Sequence, residues 1–278
     1  MGTKRFTTEE TSTMKTCSVI VTSYNGLEYS KLCYKHYKFN TFTDNIKLIW
    51  VDNASTDGTR DWLDTIDVDN VIKLDKNYGA SYARNTAVKE AETDALCFID
   101  NDIRVTQVGW INRLLRTLYN TDNCGSITPS CNLTLSPASI YSFTETVDPV
   151  WSREIEYTNM DNGTFGAHEN VYPYINYYLS KVKWIPFEAN TLLEGGGTTM
   201  DRETFLETDG FSDFMLTHDG VGLRIGLNKL ALDSWIDPSV FVFHYGHATR
   251  NASNIENFYA KLKEDQERAE VWKKAAIK

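Results

Sequence analysis

No apolar run in these 278 residues approaches the ~20 needed to span a bilayer, so no integral membrane segment is expected. Residues 1–16 are polar and rich in Thr and Glu. They lack the apolar stretch of a signal peptide and read as a disordered lead-in. Cysteine is sparse. Cys17, Cys33, Cys97, Cys124 and Cys131 are odd in number and scattered, with no C-x-x-C, which points to reduced structural thiols in a cytoplasmic protein. The N-x-S/T sequons at Asn53, Asn132, Asn162 and Asn251 do not shift this, because such triplets arise readily by chance. Basic residues are outnumbered, 28 Lys and Arg against 38 Asp and Glu, for a net charge of −10. That balance excludes non-specific duplex binding and leaves only a local basic groove open. Two phosphate motifs are also missing. No G-x-G-x-x-G follows the first strand, which removes support for an NAD or FAD enzyme, and no G-x-x-x-x-G-K-[ST] exists, which removes the P-loop reading.

What is present is a globular chain, 41% hydrophobic, whose first half alternates strand and helix signals. Apolar β-rich runs at 17–23 and 46–52 are followed by shorter ones at 71–74 and 95–99. Between them, Ala80, Ala83, Ala87 and Ala91 share one helical face, as do Trp110, Ile111, Leu114, Leu115 and Leu118. This alternation predicts an α/β fold, a Rossmann-like and mostly parallel sheet flanked by helices. In such sheets ligands gather at the carboxyl ends of strands. From about Asn132 to Pro186 the pattern breaks into an aromatic-rich stretch with no period. It reads as an irregular region, either a long loop with a few short elements or a functional loop or small subdomain. Regularity returns near Thr191. Residues 254–278 place Ile255, Phe258, Tyr259, Leu262, Ala269 and Trp272 on one face of a C-terminal helix that packs on the body, with a homodimer contact as the alternative. The expected organisation is a lead at 1–16, halves at 17–128 and 129–250, which the family resemblance given below would make donor-binding and acceptor-side, and the helix at 251–278.

The strand tips carry the chemistry. Asp52 closes the second apolar strand and begins Asp52-Asn53-Ala54-Ser55-Thr56-Asp57-Gly58, half of which could be helix capping. The fourth strand ends in Asp100-Asn101-Asp102. Alternation puts Asp100 and Asp102 on one side of the chain, where like charges repel unless a cation or hydrogen-bond donors lie between them. A hard divalent cation, Mn2+ or Mg2+, takes such oxygen ligands and shares them with substrate phosphates.

The order SVIVTSYN, VDNASTDGT, NYGASYARN, FIDND, GGGTTMDRETFLETDGFSD, THDGVGLRIG and FVFHYGH resembles the inverting family 2 glycosyltransferases of the GT-A fold, from about Cys17 to His247. The resemblance implies a metal-dependent hexosyl- or pentosyltransferase. Thr22 and Tyr24 would line the nucleotide pocket, and Asp52 would hold the base. Gly79, Arg84 and Asn85 would sit against the nucleotide or its phosphates. Asp100, with Asn101 beside it, would contact the ribose or sugar. Asp102 would bind the metal, joined by His244. Gly195, Gly196 and Gly197 would allow close backbone approach near sugar and acceptor, or form a flexible turn. Asp219 matches the general base. Its neighbour is His218 where the family has an acid, and Gly222 stands where a later Asp is usual, which leaves acceptor geometry open.

The implied reaction is a single displacement that inverts the anomeric carbon. The donor would be a UDP-sugar, with GDP- and dTDP-sugars behind it, and the acceptor a hydroxyl on a glycan, a glycoconjugate or a modified base in DNA. A non-catalytic sugar-nucleotide-binding module is the rival from another class. A nucleotidyltransferase would need a Gly-rich basic loop where this chain has Tyr24-Asn25-Gly26-Leu27.

Overall fold

The computed structural model describes residues 14–131, 185–186, 196–212 and 220–244. Most of the lead, most of the aromatic-rich stretch and the C-terminal helix expected at 251–278 lie outside the described residues, as do Gly195, His218, Asp219 and His247. Among the described residues no helix is long and apolar enough to cross a membrane.

The first part of the chain is built from β1 (Cys17–Ser23), α1 (Leu27–Asn40), β2 (Ile46–Asp52), α2 (Thr59–Leu63), β3 (Asn70–Lys73), α3 (Ala80–Glu90) and β4 (Ala95–Asp100). Next come β5 (Ile103–Val105), α4 (Trp110–Asn120), β6 (Cys124–Cys131), β7 (Ile185–Pro186), β8 (Gly196–Asp201), α5 (Arg202–Leu206), α6 (Val221–Lys229) and β9 (Asp233–His244). The sheet runs β3-β2-β1-β4-β8-β6-β9-β5, with β7 alongside β9. Its first four strands are parallel, as the alternation predicts. Beyond β4 the sheet is mixed: β8 and β5 run antiparallel to their neighbours, while β6 and β9 pair in parallel.

Period-two burial on both sides explains why the strands read as continuous apolar runs. Cys17, Val19 and Val21 of β1, Leu48 and Trp50 of β2, and Cys97 and Ile99 of β4 face one layer. Ile20, Ile49, Val51, Leu96 and Phe98 face the other. The first layer is closed by α4, whose Trp110, Ile111, Leu114, Leu115 and Leu118 are buried as their spacing requires. The second is closed by α3 through Ala83, Ala87 and Ala91, small residues that let helix and sheet approach closely, and by Leu223 and Leu227 of α6. Each large apolar side chain so buried contributes roughly 1.5–3 kcal/mol.

Register then sets the site. Ser23 lies opposite Asp52, Thr22 opposite Asp100, and Gly196 opposite Ile99. The tips of β1, β2 and β4 and the start of β8 therefore meet at one edge. At that edge β5 also pairs with the end of β9, which places His244 opposite Ile103, one residue beyond Asp102.

Candidate active site

Two loops at this edge are laced together. Asn25 sits in the left-handed region at φ 58°. Its N–H donates to Ser55 Oγ at 2.7 Å, and its side-chain oxygen accepts from Thr56 N at 2.8 Å. Asp57 accepts from Leu27 N at 2.9 Å and from Thr59 Oγ1 at 2.6 Å, so one carboxylate holds the starts of both α1 and α2. Partial burial opposes its charge, but the hydrogen bonds from Thr59 and Leu27 outweigh this and hold its carboxyl below the usual range. The N-caps themselves are Gly26 and Gly58, and Asp57 binds the first N–H of each helix from outside the cap position. Between the laced loops, Tyr24 is 40% exposed, and the Thr22 hydroxyl is buried with no partner among the described residues.

Asp52 behaves differently from the expected base-holding residue. It is fully buried, accepts from Ser55 N and Arg60 Nη1 at 3.1 Å each, and has Ser23 Oγ at 3.5 Å. Arg60 also donates to Leu74 O at 2.7 Å. Asp52 therefore fixes the β2 loop to α2 and the end of β3, and presents no surface to a ligand. Its neighbour Asn53 is tied in turn to the loop before α3. It donates to Asn77 Oδ1 at 2.8 Å and accepts from Tyr78 N at 2.9 Å. That loop ends at Gly79, whose φ of 91° suits glycine and whose N–H donates to Asn77 Oδ1.

The D-x-D triplet adopts the alternation expected of it. Asn101 turns under the β1 loop, where its amide donates to Asn25 O at 2.9 Å and Ser30 Oγ at 2.8 Å. It is 6% exposed and supports the site from beneath rather than facing a donor. Asp100 and Asp102 point the other way, and with His244 they form a cluster whose ligand atoms lie within 4.8 Å of one another. Arg84, nearly buried on α3, donates to Asp100 Oδ1 at 2.6 Å. Beneath the cluster the Cys33 thiol lies 3.9 Å from Asp100 O. Burial, and then the charges of Asp102 and Asp100, push that thiol well above its ordinary pKa, so it stays protonated.

A divalent cation fits these residues. His244 Nε2 and Asp102 Oδ1 are 3.1 Å apart, and that carboxylate oxygen is buried without a well-aligned hydrogen bond among the described residues. Two lone-pair atoms at this distance repel unless a proton or a cation lies between them. The set of two carboxylates and one imidazole suits Mn2+ or a similar ion, which takes further oxygen ligands when bound.

The Glycosyl transferase family 2 profile matches residues 18–174. The chain belongs to that family. It is 36% identical over 121 residues to the teichoic acid poly(glycerol phosphate) polymerase of Staphylococcus epidermidis, an alignment spanning 42% of this chain and 16% of that protein. Its fold resembles the mannosyltransferase PcManGT from Pyrobaculum calidifontis in complex with GDP-Man and Mn2+, at TM-score 0.58 and 17% identity over 84% of this chain and 58% of that one. It also resembles GalNAc-T7 with UDP, GalNAc and Mn2+, at TM-score 0.57 and 14% identity over 84% and 44% of the two chains. The GT-A fold expected from the motif order is the fold observed. The family 2 chain thus spans only part of each of these proteins.

Of the residues singled out from sequence, Thr22, Tyr24, Gly79, Arg84, Asp100, Asp102, Gly196 and His244 belong to this edge. Gly197 lies one residue deeper in β8, in the left-handed region at φ 104°. Asp52 and Asn101 are structural supports. Asn85, expected against the nucleotide, is hydrogen-bonded through its whole amide to the backbone of Phe211. Asn53 and Asn77 lie inside the motif strings quoted above but carry no expected role, and Cys33 stands outside those strings; all three are placed by partners from other parts of the chain.

Proposed function

We propose that this chain transfers a sugar from a nucleoside-diphosphate sugar to an acceptor hydroxyl with inversion, and that the reaction depends on a divalent cation. The observation that carries the reading is the Asp100–Asp102–His244 cluster at the strand-tip edge, with Arg84 clamped onto Asp100. Asp102 and His244 would hold the ion, Mn2+ being favoured because both structural neighbours carry it. When bound, it supplies positive charge against the diphosphate that departs.

The chain's own groups do the remaining work. The Tyr24 ring and the Thr22 hydroxyl offer a stacking face and a hydrogen bond to the nucleoside. Arg84 fixes the orientation of Asp100, which is left partly exposed to meet ribose or sugar hydroxyls. Gly196 places a stretch of backbone without a side chain next to Asp100. Asp219 accepts the proton of the acceptor hydroxyl as it attacks, opposite the leaving group, which gives inversion. The donor is a UDP-sugar in the first instance, with GDP- and dTDP-sugars next, since the neighbours carry UDP and GDP-Man. The similarity to a teichoic acid polymerase favours a glycoconjugate acceptor over a base in DNA.

The test is nucleotide release from UDP-glucose, UDP-galactose, UDP-N-acetylglucosamine and GDP-mannose, with Mn2+ and with EDTA. Release by the wild type, lost in Asp219→Asn while nucleotide binding persists, is the expected result. Binding without transfer or donor hydrolysis would instead identify a sugar-nucleotide-binding module and overturn the proposal.

A further inference from the structure

Adjacent residues of α3 point in two directions. Arg84 reaches Asp100, and Asn85 reaches the other way, to the tripeptide Gly210-Phe211-Ser212. The Asn85 amide donates to Phe211 O at 2.9 Å, and its oxygen accepts from Phe211 N at 3.1 Å. A two-pronged bond of this kind pairs with the backbone as a neighbouring strand would, yet it joins residues 126 positions apart. Gly210 makes room for it. That residue lies in the left-handed region at φ +67°, and a Cβ there would come within 3.0 Å of the Asn85 oxygen.

Phe211 itself is 2% exposed. Its ring lies 5.2 Å beneath the Arg84 guanidinium and meets Phe98 edge-on at 4.8 Å. Phe98 stands two residues before Asp100 on β4. Ser212 then accepts the Gly222 N–H at 2.8 Å, at the first turn of α6. Gly222 has no space for a side chain: a Cβ would lie 2.6 Å from Ser212 Oγ and 2.9 Å from Gly210 O. The Gly in place of the family's later Asp is therefore what allows 210–212 and α6 to close on each other. Residues 212 and 222, which flank the stretch containing Asp219, are pinned together, and the pin is anchored on Asn85.

We propose that Asn85 is a positioning residue for the transfer step, acting through Phe211 and Ser212 on the segment that supplies the base, and that it does not contact the nucleotide. This rests on the transfer reaction proposed above. Its consequence is a split between binding and turnover. The Arg84–Asp100 bond is direct, and the Phe211 ring beneath Arg84 is also held by Phe98 and Phe205, so donor affinity falls less than turnover when the clamp is lost. A 1 Å misplacement at a reacting group is enough to cost turnover heavily.

The experiment compares Asn85→Ala and Ser212→Ala with wild type. It measures kcat and KM for whichever of the four sugar nucleotides above the wild type turns over, and the dissociation constant for UDP or GDP with Mn2+. All measurements are made well below each variant's melting temperature. Both variants are expected to lose about tenfold or more in kcat, with nucleotide dissociation constants within about twofold of wild type. Ser212→Thr, which keeps the hydroxyl acceptor, is expected to recover more of the turnover than Ser212→Ala. Weakened nucleotide binding in Asn85→Ala with kcat preserved would overturn the inference and return Asn85 to the nucleotide pocket. Unchanged kcat in both Ala variants would overturn it as well. Failure of the function itself looks different, since the wild type would then turn over none of the donors, and the inference would fall with it.

Discussion

Arg60→Met should destabilise the protein strongly although Arg60 lies outside the ion-binding cluster. Asp52 is fully buried, and Arg60 is the only cation paired with it among the described residues. Removing one partner of a buried ion pair costs roughly 3–5 kcal/mol. The figure here belongs at the lower end. Arg60 is 33% exposed, so water can reach the vacated position, and Ser55 N–H remains bonded to the carboxylate. The lost bond to Leu74 O adds about 1 kcal/mol. A total of about 4 kcal/mol corresponds to a melting temperature lower by about 8–16 °C in a chain of this size. Circular dichroism melts measure this directly. The cause is checked by a double-mutant cycle with Asp52→Asn. Once the charge is gone, Arg60→Met should cost at least about 1 kcal/mol less than it does alone. A single variant that melts within about 2 °C of wild type, or a cycle showing no coupling, would refute Asp52 as a charge-paired support and reopen a direct ligand role.

Stability should also fall as pH rises above about 9. Burial holds the Cys97 and Cys124 thiols up at about 12, with Cys17 raised in the same direction, so the folded chain keeps protons that the unfolded chain releases from its ordinary value of 9.0. Each such thiol contributes up to about 1.4 kcal/mol per pH unit across that window, read from urea midpoints at pH 8, 9 and 10. Midpoints that do not change from pH 8 to 10 would contradict this. The glycines divide sharply. Gly197→Ala meets Pro129 Cγ at 2.7 Å and Gly222→Ala meets Ser212 Oγ at 2.6 Å, and each should cost about 1–3 kcal/mol in a thermal melt. Gly196→Ala has open space around its Cβ and should melt like wild type, but should transfer sugar more slowly if β8 backbone approaches the donor. Normal transfer by Gly196→Ala would favour a plain turn.

Much of the chain up to β4 is legible because its signals are local. Continuous apolar runs mark β1, β2 and β4, and strand alternation puts Asp100 and Asp102 on one side and Asn101 on the other. Small residues every third or fourth position marked the buried face of α3. The second half was less legible, since its strands mix parallel and antiparallel neighbours and take their order from distant pairing. Side-chain partners are least legible where the deciding partner is remote in sequence. Arg84 and Asn85 are neighbours in sequence, but successive helical residues diverge by about 100°. One therefore faces the cluster, and the other a backbone segment 126 residues away. Asp52 looks like a ligand residue at a strand tip until Arg60 of α2, itself held by Leu74 O, and the Ser55 N–H are seen to occupy its carboxylate.

The most direct measurement of the central claim is a thermal-shift titration with UDP, GDP, dTDP and CDP, each with Mn2+ and with EDTA, on wild type and Asp102→Asn. The account predicts that one nucleotide, UDP first, stabilises the wild type only when Mn2+ is present. The shift should disappear in Asp102→Asn while the variant's melting temperature without nucleotide stays within a few degrees. Equal stabilisation with EDTA, or a shift that survives in Asp102→Asn, would contradict an ion held by Asp102 and His244 at the donor diphosphate.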